Sequence, residues 1–397
     1  MLIETILALL TGIFAGTITG LIPGIHINLV GALLVSLSIS SLSFINPIYL
    51  VVFISAMAIT HTFIDFIPSI FLGCPDTETV LSVLPGHEML RNGKGYEAIL
   101  LTSYGSLAAV FILLFITFPL IFIILKVYDF LRILIPYILI FIFGFMIFIE
   151  RKKFSTFSVL LITGFLGWSV LNFPENYLKQ PLLPLLTGLF GSSMLVLSIK
   201  NKPIIPKQKI TKPKTNIKKP IIASLIASPL CGFLPGLGSG QAAIIGNTIS
   251  KTDRKGFLVL LGATNTLVMG FSFIVLYTIS KTRTGAAAAI KDLIGILETN
   301  VLILIIFIVF ISGIISFFLI KKLAEFFSKK INKINYSLLS FIILIILIIV
   351  VFLISGFFGL IVLIVSTLTG IYCISLGVKR TNMMGCLLIP TILFYLL

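Results

Sequence analysis

The hydrophobic pattern of this chain is a succession of long apolar runs, with no strand-like alternation and little amphipathic striping. Runs stand near residues 3–20, 25–42, 47–72, 98–125, 133–149, 155–172 and 181–199, and again near 220–234, 237–250, 257–280, 299–320, 336–354, 356–376 and 383–397. A helix needs roughly 20 residues to cross a bilayer. The pattern therefore predicts an all-α polytopic membrane protein. Two pairs of runs are split by a Pro-Gly dipeptide, in GLIPGIHIN at 20–28 and GFLPGLGSG at 232–240. The pieces 220–234 and 237–250 are too short to cross alone. Each Pro-Gly site reads as the tip of a re-entrant or broken-helix hairpin, although 3–20 and 25–42 are long enough for full crossings joined by a tight turn.

The two halves match in order. Gly12, Gly16, Gly20 and Gly24 recur every four residues, as do Ser224, Ser228, Gly232, Gly236 and Gly240. Small residues at that spacing let another helix backbone approach closely. Further on, Ala58-Ile-Thr-His-Thr-Phe63 matches Gly262-Ala-Thr-Asn-Thr-Leu267, pairing Thr60, His61 and Thr62 with Thr264, Asn265 and Thr266. Between the halves, residues 200–219 carry eight lysines and no acid. Pro203, Pro206 and Pro213 keep that segment from forming a helix. The expected organisation is a first transmembrane repeat (1–199), a solvated cytoplasmic linker (200–219) and a second repeat (220–397). One hairpin plus about five transmembrane helices per half makes the repeats inverted, because five is odd. Arg151 to Lys153, the linker, Lys251 to Lys255, Lys321 to Lys333 and Lys379-Arg380 then fall on one side, as the positive-inside rule requires. Inverted repeats with broken helices are a signature of secondary transporters.

Composition agrees with this reading. The chain is 58% hydrophobic and 11% charged, against roughly 25% charged in a soluble domain. Its net charge of +16 lies in short loops between apolar runs. That suits anionic lipid, and no basic stripe with stacking aromatics points to nucleic acid. Cys74, Cys231, Cys373 and Cys386 are scattered, with no disulfide or metal spacing, and read as small packing residues. Trp168 and the 35 phenylalanines read as membrane-facing or core filler. The opening MLIETI has no basic n-region, so the first segment reads as retained.

The Pro-Gly sites are where chemistry is expected. Backbone unwound inside a bilayer must be satisfied by protein, water or ligand. A glycine-rich turn that opens a helix exposes N–H groups to an anion. Pro235, Gly236, Gly238, Ser239, Gly240 and Gln241 make such a turn, and Pro23, Gly24, His26 and Asn28 occupy the matching place in the first half. With Thr264 and Asn265, these are the candidate substrate-binding residues. The plain structural reading is a pair of tight turns that only let helices pack. Thr60, His61 and Asp65 are the candidates for ion coupling. His61 and Asp65, four apart, share one helix face, and Asp65 is an acid well inside an apolar run; a buried polar pair that only stabilises packing is the alternative. The stretch 73–89 reads as a polar loop whose Asp76 and Glu78 either bind a cation or are solvated. Lys281 and Arg283 read as lipid anchors or as steering charges for an anion. Gly285-Ala-Ala-Ala-Ala289 reads as a tightly packed helix. No metal site, cofactor motif or hydrolase motif stands out, which leaves a proton or sodium ion as the only small species expected beside the substrate.

Three stretches together resemble the large membrane subunit of the tripartite tricarboxylate transporters. They are GTITGLIPG at 16–24, FLGCPDTETVLSVLPGHEMLRNGKGYEAI at 71–99 and GFLPGLGSGQAA at 232–243. The resemblance covers nearly the whole chain. It implies a permease for organic carboxylates driven by an ion gradient, assisted by a small membrane subunit and an extracytoplasmic binding protein. The chain departs from the family in being short, like the archaeal-type branch, for which binding-protein partners are not assumed. It has Cys74-Pro75-Asp76 where Pro-Gly is common, and it lacks the Pro-Glu-Ala and paired-asparagine motif after the second hairpin. The architecture therefore carries over better than the substrate does.

The leading expectation is a cell-membrane symporter of a small di- or tricarboxylate. A carrier of a lipid-linked phosphate is the runner-up, since the same hairpins suit a phosphate headgroup. An intramembrane enzyme using His61 and Asp65 is a third class, and it leaves the repeat without a purpose.

Overall fold

A computed structural model of the chain describes residues 2–22, 27, 30–31, 34–35, 45–73, 79–174, 176–201, 206–233, 238–331 and 336–396. The described residues are all-helical apart from turns and connectors. Eight helices among them are long and apolar enough to cross a membrane, and the protein is a polytopic membrane protein.

Helix α1 (Leu2–Leu21) lies along α2 (Pro47–Ile64). The stripe of small residues makes this possible. A Cβ on Gly12 would stand 2.5 Å from the Phe53 carbonyl oxygen, and one on Gly20 2.8 Å from Ile64 Cβ. Asn46 caps α2 by accepting a hydrogen bond from the Ile48 N–H at 3.0 Å, with Pro47 in the first turn where its missing N–H costs nothing. The helix breaks at Asp65 and resumes as α3 (Phe66–Phe71). Pro68 is the cause, since it cannot donate to the Ile64 carbonyl and its ring crowds that oxygen.

The sequence 83–91, expected as loop, forms the short helix α4 (Val83–Arg91). Pro85 falls in its first turn, where the N–H is not needed. Helix α5 (Gly95–Ile149) joins the two apolar runs at 98–125 and 133–149 through the polar stretch between them. At 55 residues it is about 80 Å long, more than twice the hydrocarbon thickness, with Pro119 and Pro136 inside it. Next come α6 (Lys153–Leu171), α7 (Leu182–Leu186), a π turn (Thr187–Ser192) and α8 (Ser193–Asn201).

The second half opens with α9 (Lys218–Phe233) and α10 (Ser239–Ser250), which pack against each other and against α11 (Arg254–Ile279). At 16 and 12 residues the two are about 24 and 18 Å long, too short to cross singly. They form the arms of the expected hairpin. After α12 (Gly285–Ile294) and α13 (Thr299–Lys330), helix α14 (Tyr336–Ser375) joins the runs 336–354 and 356–376. The join is interrupted at Gly356, whose φ of +69° and ψ of −162° suit only glycine. Helix α15 (Gly385–Leu396) completes the order.

Two spans are central. The apolar stretches of α2–α3 and α11 are 94% and 100% buried by the rest of the chain, against 33% for α1, 44% for α13 and 22% for α14. The outer spans instead carry exposed Phe115, Phe122, Phe141, Phe165, Leu353 and Phe357, an apolar surface for lipid.

The basic loops gather at one end. Lys152 donates to the Leu376 carbonyl at 3.0 Å, Lys379 pairs with Glu150 at 3.2 Å, Lys255 pairs with Glu97 at 2.6 Å, and Arg254 pairs with Glu88. The linker joins them there. Residues 206–217 form no helix, as its prolines demand, but they are anchored rather than only solvated. Gln208 accepts from the Gly95 N–H at 2.7 Å and donates to the Leu90 carbonyl at 3.0 Å, filling the gap between α4 and α5.

His87, on α4, lies at this end. Burial above all, then the nearby Arg91 and Arg380 charges, push its imidazole down from 6.5 to about 4. The native ring stays neutral while the unfolded chain takes up a proton near pH 6.5. Stability is therefore fully present above pH 6.5 and is lost as pH falls toward about 4, by roughly 1.4 kcal/mol per unit. The melting temperature of the purified protein should fall more steeply between about pH 6.5 and 4.5 than that of His87→Gln. Parallel curves would refute this.

Candidate functional site

The site is built where α2 and α11 cross. Asn265 is the twelfth residue of the 26 in α11, about 17 Å from its start and so near the middle of a hydrocarbon core roughly 30 Å thick. Its Nδ2 donates to Asp65 Oδ2 at 2.9 Å and, at 3.4 Å, to the Thr62 carbonyl. Thr62 and Thr266 meet hydroxyl to hydroxyl at 3.1 Å. The crossing thus joins the two sequence-matched triplets to each other. Asp65, 2% exposed, sits in the helix break that Pro68 makes.

The flanks of the crossing are polar as well. His61 Nδ1 is 3.0 Å from Thr19 Oγ1 on α1, and that hydroxyl donates to the Gly16 carbonyl at 3.2 Å. On the other side, Ser316 of α13 donates to Thr60 Oγ1 at 2.9 Å. Ion pairs and amides at midplane depth are expensive for a membrane protein and concentrate at functional sites.

Helix α12 and its N-terminal flank touch described residues of both hairpins, Cys231 in the second and Gly31 in the first. Cys231 Sγ donates to the Gly238 carbonyl at 3.2 Å, drawing the end of α9 to the start of α10. Arg283, just before α12, donates from Nε to the Cys231 carbonyl at 2.6 Å. That oxygen is among the last carbonyls of α9, which have no partner inside the helix. Thr284 ties the start of α12 to α11 through Ser272 at 2.9 Å. In the first hairpin, a Cβ on Gly31 would stand 3.0 Å from Ala289 Cβ. The alanine run is therefore the tightly packed helix expected of it, with one hairpin at its start and the other along its length. Arg283→Gln should remove this charge-assisted hydrogen bond, a loss of about 1.5–3 kcal/mol. Thermal unfolding of the purified variant, a few degrees below wild type, checks it.

Of the sequence candidates, the structure joins Asp65 to Asn265 and places Thr60 and His61 beside them. Thr264 turns inward on its own helix, donating to the Leu260 and Leu261 carbonyls. Gly238, Ser239 and Gly240 are buried at the start of α10. Pro23, Gly24, His26, Asn28, Pro235, Gly236, Asp76 and Glu78 lie outside the described residues, as does the Gln241 side chain. Thr19 and Ser316 were not singled out in the sequence, where they are isolated hydroxyls in apolar runs. Arg283 was visible only as a loop charge.

The comparisons with known proteins now decide the family. The profile described as "Tripartite tricarboxylate transporter TctA family" matches residues 6–385. The chain belongs to this family. It is a component of the tripartite tricarboxylate transporter type, a class of secondary transporters. An uncharacterized protein of Methanocaldococcus jannaschii is 35% identical over 402 residues, spanning 98% of this chain and 99% of its own length. No solved structure matches. The match agrees with the resemblance carried by the Pro-Gly hairpins and the 71–99 stretch, and it places the midplane cluster inside a transporter.

Proposed function

We propose that this TctA-family chain is a permease of the cell membrane that carries a small di- or tricarboxylate in symport with protons or sodium ions. The observation that carries the reading is the α2–α11 crossing. There, Asp65 of one half and Asn265 of the other hydrogen-bond at 2.9 Å, and the matched Thr62 and Thr266 touch. Contact between equivalent residues is what a two-fold relation between repeats requires, and it supports two inverted repeats at 1–199 and 220–397 joined by a cytoplasmic linker. The substrate is held between the Pro-Gly hairpins, whose helix N-terminus at Ser239 favours a carboxylate. Asp65, with His61 and Thr60 around it, takes the coupling ion. Transport, and not chemistry on the substrate, is the task of the site. A small membrane subunit and an extracytoplasmic binding protein are candidate partners, and carriage across the membrane does not depend on them. The carrier site itself is complete in this chain, since both halves of the crossing belong to it.

Counterflow tests carrier function without a gradient. Proteoliposomes preloaded with unlabelled succinate or citrate should accumulate the labelled anion transiently. A failure to exchange either anion, with labelled lipid phosphate exchanged instead, would replace the carboxylate reading with that of a lipid-phosphate carrier.

A further inference from the structure

A cavity of about 460 Å³ opens at the basic end of the molecule, bounded by α4, the end of α5, α10, the start of α11 and the turn Arg380–Met384. Ile244, Asn247 and Thr248 of α10 form one wall, so the outgoing arm of the second hairpin leads from the tip to the cavity.

The charges that line it divide into two groups. Glu88 pairs with Arg254, Glu150 pairs with Lys379 at 3.2 Å, and Asp253 caps α11 by accepting from the Gly256 N–H at 2.9 Å. Arg380 is left over. Among the described residues it makes no ion pair, and its Nη1, shielded from solvent, has no hydrogen-bond acceptor. Asn382 is only 2% exposed and lines the same cavity with its Nδ2 equally lacking an acceptor. Every acid on the wall is engaged, and the spare groups are both donors. Buried donors without acceptors are rare in folded proteins and ask for a missing partner. The missing partner here is an acceptor, and a guanidinium beside an amide donor suits a carboxylate or phosphate group.

We propose that this cavity is an anion-binding site at the basic face, separate from the α2–α11 crossing, in which Arg380 and Asn382 hold an oxyanion. Its size suits a small polyanion with a few waters. The di- or tricarboxylate leaving or approaching the foot of the second hairpin is the occupant if the proposed function holds. Anion recognition by Arg380 does not itself depend on that reading.

The test is equilibrium binding of citrate, succinate and inorganic phosphate to the full-length protein in detergent, by titration calorimetry. The expected result is a component of wild-type binding that Arg380→Gln weakens by at least about tenfold and Asn382→Ala by several-fold. Loss of the citrate or succinate component assigns the cavity to transported carboxylates. Loss of the phosphate component alone assigns it to an inorganic anion. Both sustain an anion site, whatever counterflow reports. Identical isotherms for wild type and Arg380→Gln with all three anions, or no binding by wild type, would overturn it. Should Arg380→Gln fail to yield a monodisperse protein, Asn382→Ala and Arg380→Lys carry the comparison, the latter keeping the charge but losing the planar fork.

Discussion

Asp65→Asn should lose gradient-driven uptake of labelled citrate or succinate by on the order of 100-fold while keeping counterflow within about threefold. The substitution keeps the volume of the side chain and an oxygen able to accept from Asn265 Nδ2, so the 2.9 Å contact across the crossing survives. It removes the negative charge. A site that needs that charge only to hold a proton or sodium ion still exchanges substrate for substrate, but it cannot link substrate movement to the ion. Asp65→Leu is the harsher comparison. It takes the 2.9 Å acceptor away from the buried Asn265 amide, a cost of roughly 1–3 kcal/mol. Poor folding of Asp65→Leu beside normal folding of Asp65→Asn would separate the structural share of this residue from its coupling share. Unchanged gradient-driven uptake by Asp65→Asn would sink the coupling role.

The largest effect on stability is expected at the contact between α5 and α11. Gly105 and Gly262 face each other across it. A Cβ on Gly105 would stand 2.8 Å from the Ala263 nitrogen and closer still to the Val259 carbonyl oxygen, while one on Gly262 would run into the Thr102 carbonyl oxygen. The neighbours here are backbone, which cannot rotate away as a side chain can. The helices must separate, and with them goes the hydrogen bond from Ser106 to the Gly262 carbonyl at 3.0 Å. Overpacking costs about 1–3 kcal/mol in cores that give, and more where they do not. Gly262→Val should therefore abolish the monodisperse peak of the detergent-extracted protein in size-exclusion chromatography. Gly144→Val, where nothing lies within 4 Å of the added carbon, should leave it intact. Equal behaviour of the two variants would contradict this packing.

The sequence was most legible where a rule has one cause. Apolar length announced the spans, and four-residue spacing of glycines announced the α1–α2 contact. The match of 58–63 to 262–267 singled out the residues that meet at the crossing. That Thr62 and Thr266 touch, and that Asn265 bonds to Asp65 instead of facing its own counterpart His61, depended on how two helices 200 residues apart cross, which no local pattern encodes. Thr19 and Ser316 are selected as partners by the same geometry. The runs joined in α5 and α14 were hard to foresee because proline or a single glycine bends a helix without always ending it. Arg283 was read by its position among loop charges, whereas its role as a cap for the α9 terminus follows from where the second hairpin ends. The anchoring of Gln208 was hidden by the composition of the linker, which says only that it is not helical.

The most direct test of the account is net uptake of labelled citrate and succinate into proteoliposomes that contain this protein alone, under imposed pH and sodium gradients. The account predicts accumulation above equilibrium for at least one anion, present with an inward gradient of one ion and abolished when that gradient is collapsed. Uptake no greater than in protein-free liposomes, with both anions and under every gradient, would contradict it.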